Sequence, residues 1–216
     1  MYVQERETET RTRIQPRTLA YIITVGETER DNCEKLTERG KNQIIELARS
    51  RVVAGVGRMY SSSLNPAHKT NQMLCKEFGS EASKKDCLST VRIPGMDKRY
   101  EGVKDTLVKM WEDETFCEKK GESLFDARQR VGDCMSEIAA KHANDAFAVV
   151  CDPLIGALFD SLVSGAPIAP ELWTKMGHAA CGTDEYSRGW SVVMPPDNSY
   201  LSDPTYVRDT LPDGFF

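Results

Sequence analysis

The chain has 216 residues, of which 40% are hydrophobic and 28% charged, and a net charge of −5. This is an ordinary globular composition with apolar mass for a sizeable core, in one large α/β domain or two small ones. The acidic balance argues against a general nucleic-acid binder, and no apolar stretch approaches the length of a transmembrane helix, so no membrane contact is expected.

Residues 1–17 mix charges of both signs with threonines and hold few apolar side chains. They read as an N-terminal arm, either a polar edge strand or a disordered or partner-ordered segment. Pro16 separates the arm from a first core strand at about 19–25, and residues 27–36 look like a polar loop. Thr37 is a good N-cap for a helix striped by Ile44, Ile45, Leu47, Ala48 and Val52. A second strand is expected at 57–61 and a helix from Pro66 to Phe78, with proline near its first turn.

The stretch 79–100 reads as loop with one short strand at 88–92, followed by a helix over 101–116. Ser123 caps a longer helix carrying Leu124, Ala127, Val131, Met135 and Ile138 at three-to-four spacing. Residues 146–151, Ala-Phe-Ala-Val-Val-Cys, form the clearest buried strand, and Asp152-Pro153 opens an apolar helix to about Val163. A last strand spans 190–194, within a domain set at 18–201, and 202–216 is left as a Pro/Asp/Tyr-rich tail.

Seven scattered cysteines contain no Cys-x-x-Cys pair. The odd number, with no hydrophobic signal core at the amino terminus, favours reduced thiols in a cytoplasmic compartment.

Strands alternating with helices predict a three-layer α/β/α sandwich with a mostly parallel central sheet. Ligands bind outside the carboxyl ends of such strands. Thr24–Glu27, Ser61–Pro66 and Cys151–Pro153 all lie at such ends, so the three segments are expected to share one pocket.

Segment by segment, residues 18–201 resemble the histidine phosphatase (phosphoglycerate mutase-like) superfamily. Thr24-Val25-Gly26-Glu27 stands where the family has Arg-His-Gly-Glu. Leu36-Thr37-Glu38-Arg39-Gly40-Lys41-Asn42-Gln43 is similar to its Leu-Thr-x-x-Gly-x-x-Gln helix start. Tyr60 to Thr70 resembles the Ser-Ser-Pro-Leu-x-Arg-Ala-x-x-Thr segment. Tyr100-Glu101-Gly102 and Gly121-Glu122-Ser123 are similar to Trp-Glu-Gly and Gly-Glu-Ser elements. Val149 to Pro153 takes the place of Val-Val-Ser-His-Gly.

The departures gather where the chemistry would be. The resemblance puts Thr24 and Pro66 at two phosphate-binding arginines, Val25 at the nucleophilic histidine, Asp152 at the second histidine and Pro153 at the glycine after it. The proton-donating acid falls within 92–101, at Pro94 in one register, with Glu101 as a substitute in another. Valine has no lone pair to attack phosphorus, and neither threonine nor proline replaces the planar fork of arginine. An Asp152 anion about 4 Å from a phosphate charge would add repulsion of roughly 4 kcal/mol at an effective dielectric near 20.

The resemblance therefore implies a pseudophosphatase, retained as a scaffold or regulatory protein-binding subunit, with no cofactor and no metal. The arm and the aromatic residues Tyr200, Tyr206, Phe215 and Phe216 are its expected contact elements, or else plain disordered ends. Other readings stay open. Val25 is a core strand residue, and Asp152 is either a helix N-cap or, with Glu27, part of an acidic pocket for a cation or amine. His178, in the region that approaches the family pocket, is the first replacement nucleophile to consider. An enzyme or small-molecule sensor using Asp152, Glu27 and His178 is the alternative.

Overall fold

The computed structural model describes residues 16–29, 32–95, 103–211 and 215. At its centre lies β1 (Thr18–Thr24), whose alternate residues feed two separate cores. Ala20 and Ile22 belong to one, Ile23 and the following Val25 to the other, which is the period-two pattern of a strand buried on both faces. Its parallel neighbour β6 (Ala146–Cys151) divides in the same way, Phe147, Val149 and Cys151 against Ala148 and Val150.

On one side, β4 (Val56–Ser61) pairs parallel with β6 and with the edge strand β5 (Glu81–Lys84). On the other, β7 (Cys181–Tyr186) runs antiparallel to β1, and β8 (Trp190–Asp197) antiparallel to β7. The order is β5-β4-β6-β1-β7-β8. Helices α1 (Glu38–Ser50) and α2 (Asn65–Phe78) cover one face, contributing Ile44, Leu47 and Leu74 to its core. Helices α3 (Lys104–Glu112), α4 (Leu124–Lys141) and α5 (Pro153–Ser164) cover the other. The expected α/β/α sandwich is therefore present, with a mixed, mostly parallel sheet.

Capping sets where the helices begin. Thr37 Oγ1 accepts from Gly40 N at 2.8 Å, and Ser123 Oγ from Asp126 N at 3.0 Å. Beside that cap, Glu122 holds Arg130 through both its carboxylate oxygens, at 2.7 and 2.8 Å. Arg130 in turn donates to the carbonyls of Cys87 and Ser89. The Gly-Glu-Ser element thus starts α4 and anchors a distant segment to it.

Several expectations are corrected. The supposed loop at 27–36 contains a small ribbon, β2 (Thr28–Glu29) against β3 (Asn32–Leu36). The strand expected at 88–92 is absent, because Ser89–Ile93 finds no pairing partner among the described residues and alternates burial as a single extended segment. The helix over 101–116 is shorter, Lys104–Glu112. Strand β7 was not anticipated, since Cys-Gly-Thr-Asp-Glu-Tyr carries two acids and a glycine. Asp184 within it is nonetheless 7% exposed, its carboxyl pushed up to about 7 by burial and by the nearby Asp160.

The tail is not a free end. Helices α6 (Pro170–Thr174) and α7 (Val207–Thr210) bring Trp173, Val207, Leu211 and Phe215 into the core, and Tyr200 donates its hydroxyl to the Ala179 carbonyl. Tyr206 lies at the start of α7, while Phe216 and residues 1–15 of the arm lie outside the described residues. Reduced thiols throughout are also corrected. Cys87 and Cys134, 47 residues apart, form a disulfide with a Cα–Cα distance of 5.9 Å. The packing of the 3₁₀ turn at Asp86–Leu88 on α4 brings them together. Cys75, Cys151 and Cys181 remain buried free thiols. Among the described residues no helix is long and apolar enough to cross a membrane.

Candidate functional site

The carboxyl ends of β1, β4 and β6 meet at one cavity of about 620 Å³. Its lining includes Val25 after β1, Ser62 and Pro66 after β4, and Asp152 and Pro153 after β6. The convergence follows from the parallel register, which sets Thr24 beside Cys151 and Ser61 beside Val150. Of the residues singled out in the sequence, Val25, Pro66, Asp152 and His178 line this cavity; Thr24, Gly26 and Glu27 do not.

Val25 is 4% exposed, and its backbone continues the sheet by donating to Cys151 O at 3.0 Å and accepting from Ala179 N at 2.9 Å. Thr24 turns the other way. Its hydroxyl donates to Gly177 O at 2.7 Å and accepts from Ala180 N at 2.9 Å, which ties the 177–180 segment to β1. Gly26 and Gly40 sit where two backbones nearly touch. A Cβ on Gly40 would fall 2.1 Å from Glu27 O, and one on Gly26 2.4 Å from Gly40 O.

Glu27 faces α1 rather than the cavity. One carboxylate oxygen accepts from Thr37 Oγ1 at 3.0 Å and the other from Arg39 Nη1 at 3.2 Å. The possible acidic pair of Glu27 with Asp152 is therefore not assembled. Asp152 is the N-cap of α5, its Oδ1 accepting from Leu154 N at 2.9 Å and Ile155 N at 3.2 Å. Burial raises its pKa, against the lowering effect of those amides and of the Thr90 hydroxyl.

His178 is 4% exposed, and neither ring nitrogen has a hydrogen-bond partner. Burial pushes its pKa down to about 4, against weaker pulls from Glu27, Asp209 and the Val25 carbonyl, so the imidazole is neutral at pH 7. Ala179, next in the chain, adopts φ 48°, left-handed backbone that costs a non-glycine residue about 1–2 kcal/mol. The other histidines lie elsewhere. His142 Nε2 is 3.0 Å from Tyr60 Oη, its ring stacked on Phe147, and His68 is not part of the lining.

The remaining lining was not legible as a site. Ser89–Pro94 supplies Val91 and Ile93, and the C-terminal third supplies Trp173, Val207 and Thr210. Backbone bonds stitch the latter together: His178 N to Thr205 O at 2.9 Å and Val207 N to Met176 O at 3.0 Å. Asn198 donates to both His178 O and Thr205 O. Two exposed cations, Arg92 and Lys120, also belong to the lining. The acid position considered at Pro94 is a lining proline; Glu101 lies outside the described residues. Among the described residues no three His, Cys, Asp or Glu side chains converge on a point that could hold a metal ion. The result is an apolar chamber with a saturated carboxyl group and one unpaired neutral imidazole.

The sequence pattern of the histidine phosphatase superfamily (branch 1) matches residues 26–189. No curated protein matches the chain. Among solved structures, YhfR of Bacillus stearothermophilus is 18% identical with a TM-score of 0.74, over 85% of this chain and 98% of that one. A phosphoserine phosphatase mutant of Entamoeba histolytica, solved with phosphoserine, is 16% identical with a TM-score of 0.71, over 85% and 99%. Phosphoglycerate mutase of Bacillus anthracis is 16% identical with a TM-score of 0.69, over 86% and 96%. At these identities the likeness is one of fold.

Proposed function

The chain belongs to branch 1 of the histidine phosphatase superfamily, and we propose that it is a pseudophosphatase, a member without phosphoryl-transfer chemistry that serves as a scaffold or regulatory protein-binding subunit. The observation that carries the reading is the lining at the strand ends. Val25, Pro66 and Asp152 occupy it where the family resemblance calls for histidine, arginine and histidine. Valine and proline offer neither a nucleophile nor a charge, and the Asp152 carboxyl is engaged as a helix cap. Thr24, at the other arginine position, has its hydroxyl committed to backbone groups. His178 does not supply the missing attack, because its nitrogens are enclosed beneath the surface.

What supports a binding role is the outer edge of the sheet. Strand β8 pairs only with β7 among the described residues and exposes Val192, Val193 and Met194 in sequence. An edge of this kind adds an extended strand from a partner through main-chain hydrogen bonds. Buried tail aromatics, by contrast, are poor contact elements.

The test is hydrolysis of p-nitrophenyl phosphate by the wild type beside a variant carrying Thr24→Arg, Val25→His, Pro66→Arg and Asp152→His. The wild type is expected to release no nitrophenol above background. Turnover by the wild type that disappears in Asp152→Ala or His178→Phe would overturn the reading and favour a repurposed enzyme. For the scaffold role, a discrete partner should co-purify and be lost on Val193→Lys while retained in His178→Phe.

A further inference from the structure

The cavity is too well formed to be explained by the loss of chemistry alone. Its volume, about 620 Å³, falls within the range of small-molecule sites, and Val25, Pro66, Val91, Ile93, Trp173 and Val207 give it largely apolar walls. Within them lies one unsatisfied polar group, the His178 imidazole, 4% exposed with both nitrogens unpaired. Native proteins rarely leave such a group without a partner, so a polar atom of a bound molecule is the natural complement.

We propose that this cavity binds an uncharged, mainly hydrocarbon small molecule carrying a hydroxyl group, held by hydrogen bonding to His178. The inference rests on the pseudophosphatase reading, since it gives the vacated catalytic position an occupant. A neutral imidazole presents one donor and one acceptor, and a hydroxyl group is the simplest partner that can answer either. Asp152 disfavours an anion deep in the site while its own acceptor oxygen is already used by the Leu154 and Ile155 amides. Arg92 and Lys120 are exposed and cationic, so the competing occupant is the same hydrocarbon body with an acidic head held by them.

Calorimetric titration of the full chain with 2-naphthol, 2-naphthoic acid and 2-naphthyl phosphate separates these possibilities, because the three share one body and differ in the head. Naphthol is expected to bind and raise the thermal midpoint, with the acid and the phosphate ester at least tenfold weaker. His178→Phe keeps the ring and removes the nitrogens, and should weaken naphthol at least tenfold. Ala67→Leu, which places extra bulk in the lining, should abolish binding and guards against a folding defect in the first variant. Equal binding to wild type and His178→Phe, tighter binding of the acid, or no naphthol binding at all would overturn the proposal. Hydrolysis of the phosphate ester would instead sink the pseudophosphatase reading on which it rests.

Discussion

Two sets of residues line the cavity, and they come from different kinds of sequence. Val25, Pro66 and Asp152 each follow a parallel strand within a few residues, so chain order and the sheet alone bring them together. Trp173, His178, Val207 and Thr210 arrive from the C-terminal third, where short helices and turns are held by single hydrogen bonds rather than a ladder. Thr24 joins the two, because its side chain holds the backbone at Gly177 and Ala180. The first set keeps the geometry of a family site while its chemistry differs. The second set gives that geometry its apolar interior. A binding site can thus be remade by changing what surrounds the strand ends without disturbing the ends themselves.

If the second set is structural and not an appendage, its central residue should matter most. Trp173 is 1% exposed, stacked against Trp111 and edge-on to Phe215. Trp173→Ala should cost about 3–5 kcal/mol in urea denaturation, the range for a buried aromatic truncated to alanine. A loss below about 1 kcal/mol would mean that the C-terminal segment only rests on the domain.

His178 tests the same boundary through pH. Its folded pKa, about 4, lies below the ordinary 6.5, so between those values the unfolded chain binds a proton that the folded chain refuses. Stability from this group therefore falls as pH drops from about 6.5 to 4 and is unaffected above that window. The shift corresponds to roughly 3 kcal/mol. Comparing wild type with His178→Phe across pH 4–8 isolates it, since other acids, Asp184 among them, titrate in both proteins. Parallel stability curves would place the imidazole in contact with water.

The smallest expected effect belongs to the first set. Asp152→Ala removes the N-cap of α5 and should cost about 1 kcal/mol, whereas Asp152→Ser, which caps without charge, should restore most of it. Were Asp152 instead a ligand-binding charge, serine would behave like alanine, and thermal unfolding of the two variants would coincide.

Much of the first set was readable because its signals are local. A β-branched run ending in Gly-Glu, a proline opening a helix and Asp-Pro after a buried strand each carry their meaning within a few residues. The same locality misled elsewhere. Glu27 stood next to the expected pocket, yet Thr37 and Arg39 claim its carboxylate. The segment 88–92 alternates like a strand and finds no strand beside it. β7 was missed because burial of Asp184 is a tertiary demand that its composition conceals.

Sequence by itself determined the alternation of strands and helices, the capped helix starts and the residues at the ends of β1, β4 and β6, since each depends on neighbours a few positions away. Only the tertiary structure decided that the C-terminal tail is core, that Cys87 meets Cys134, and that an unpaired imidazole faces an apolar chamber. Those outcomes depend on contacts between residues far apart in the chain. Their free energy exists only once the sheet has formed, and no local pattern of residues encodes it.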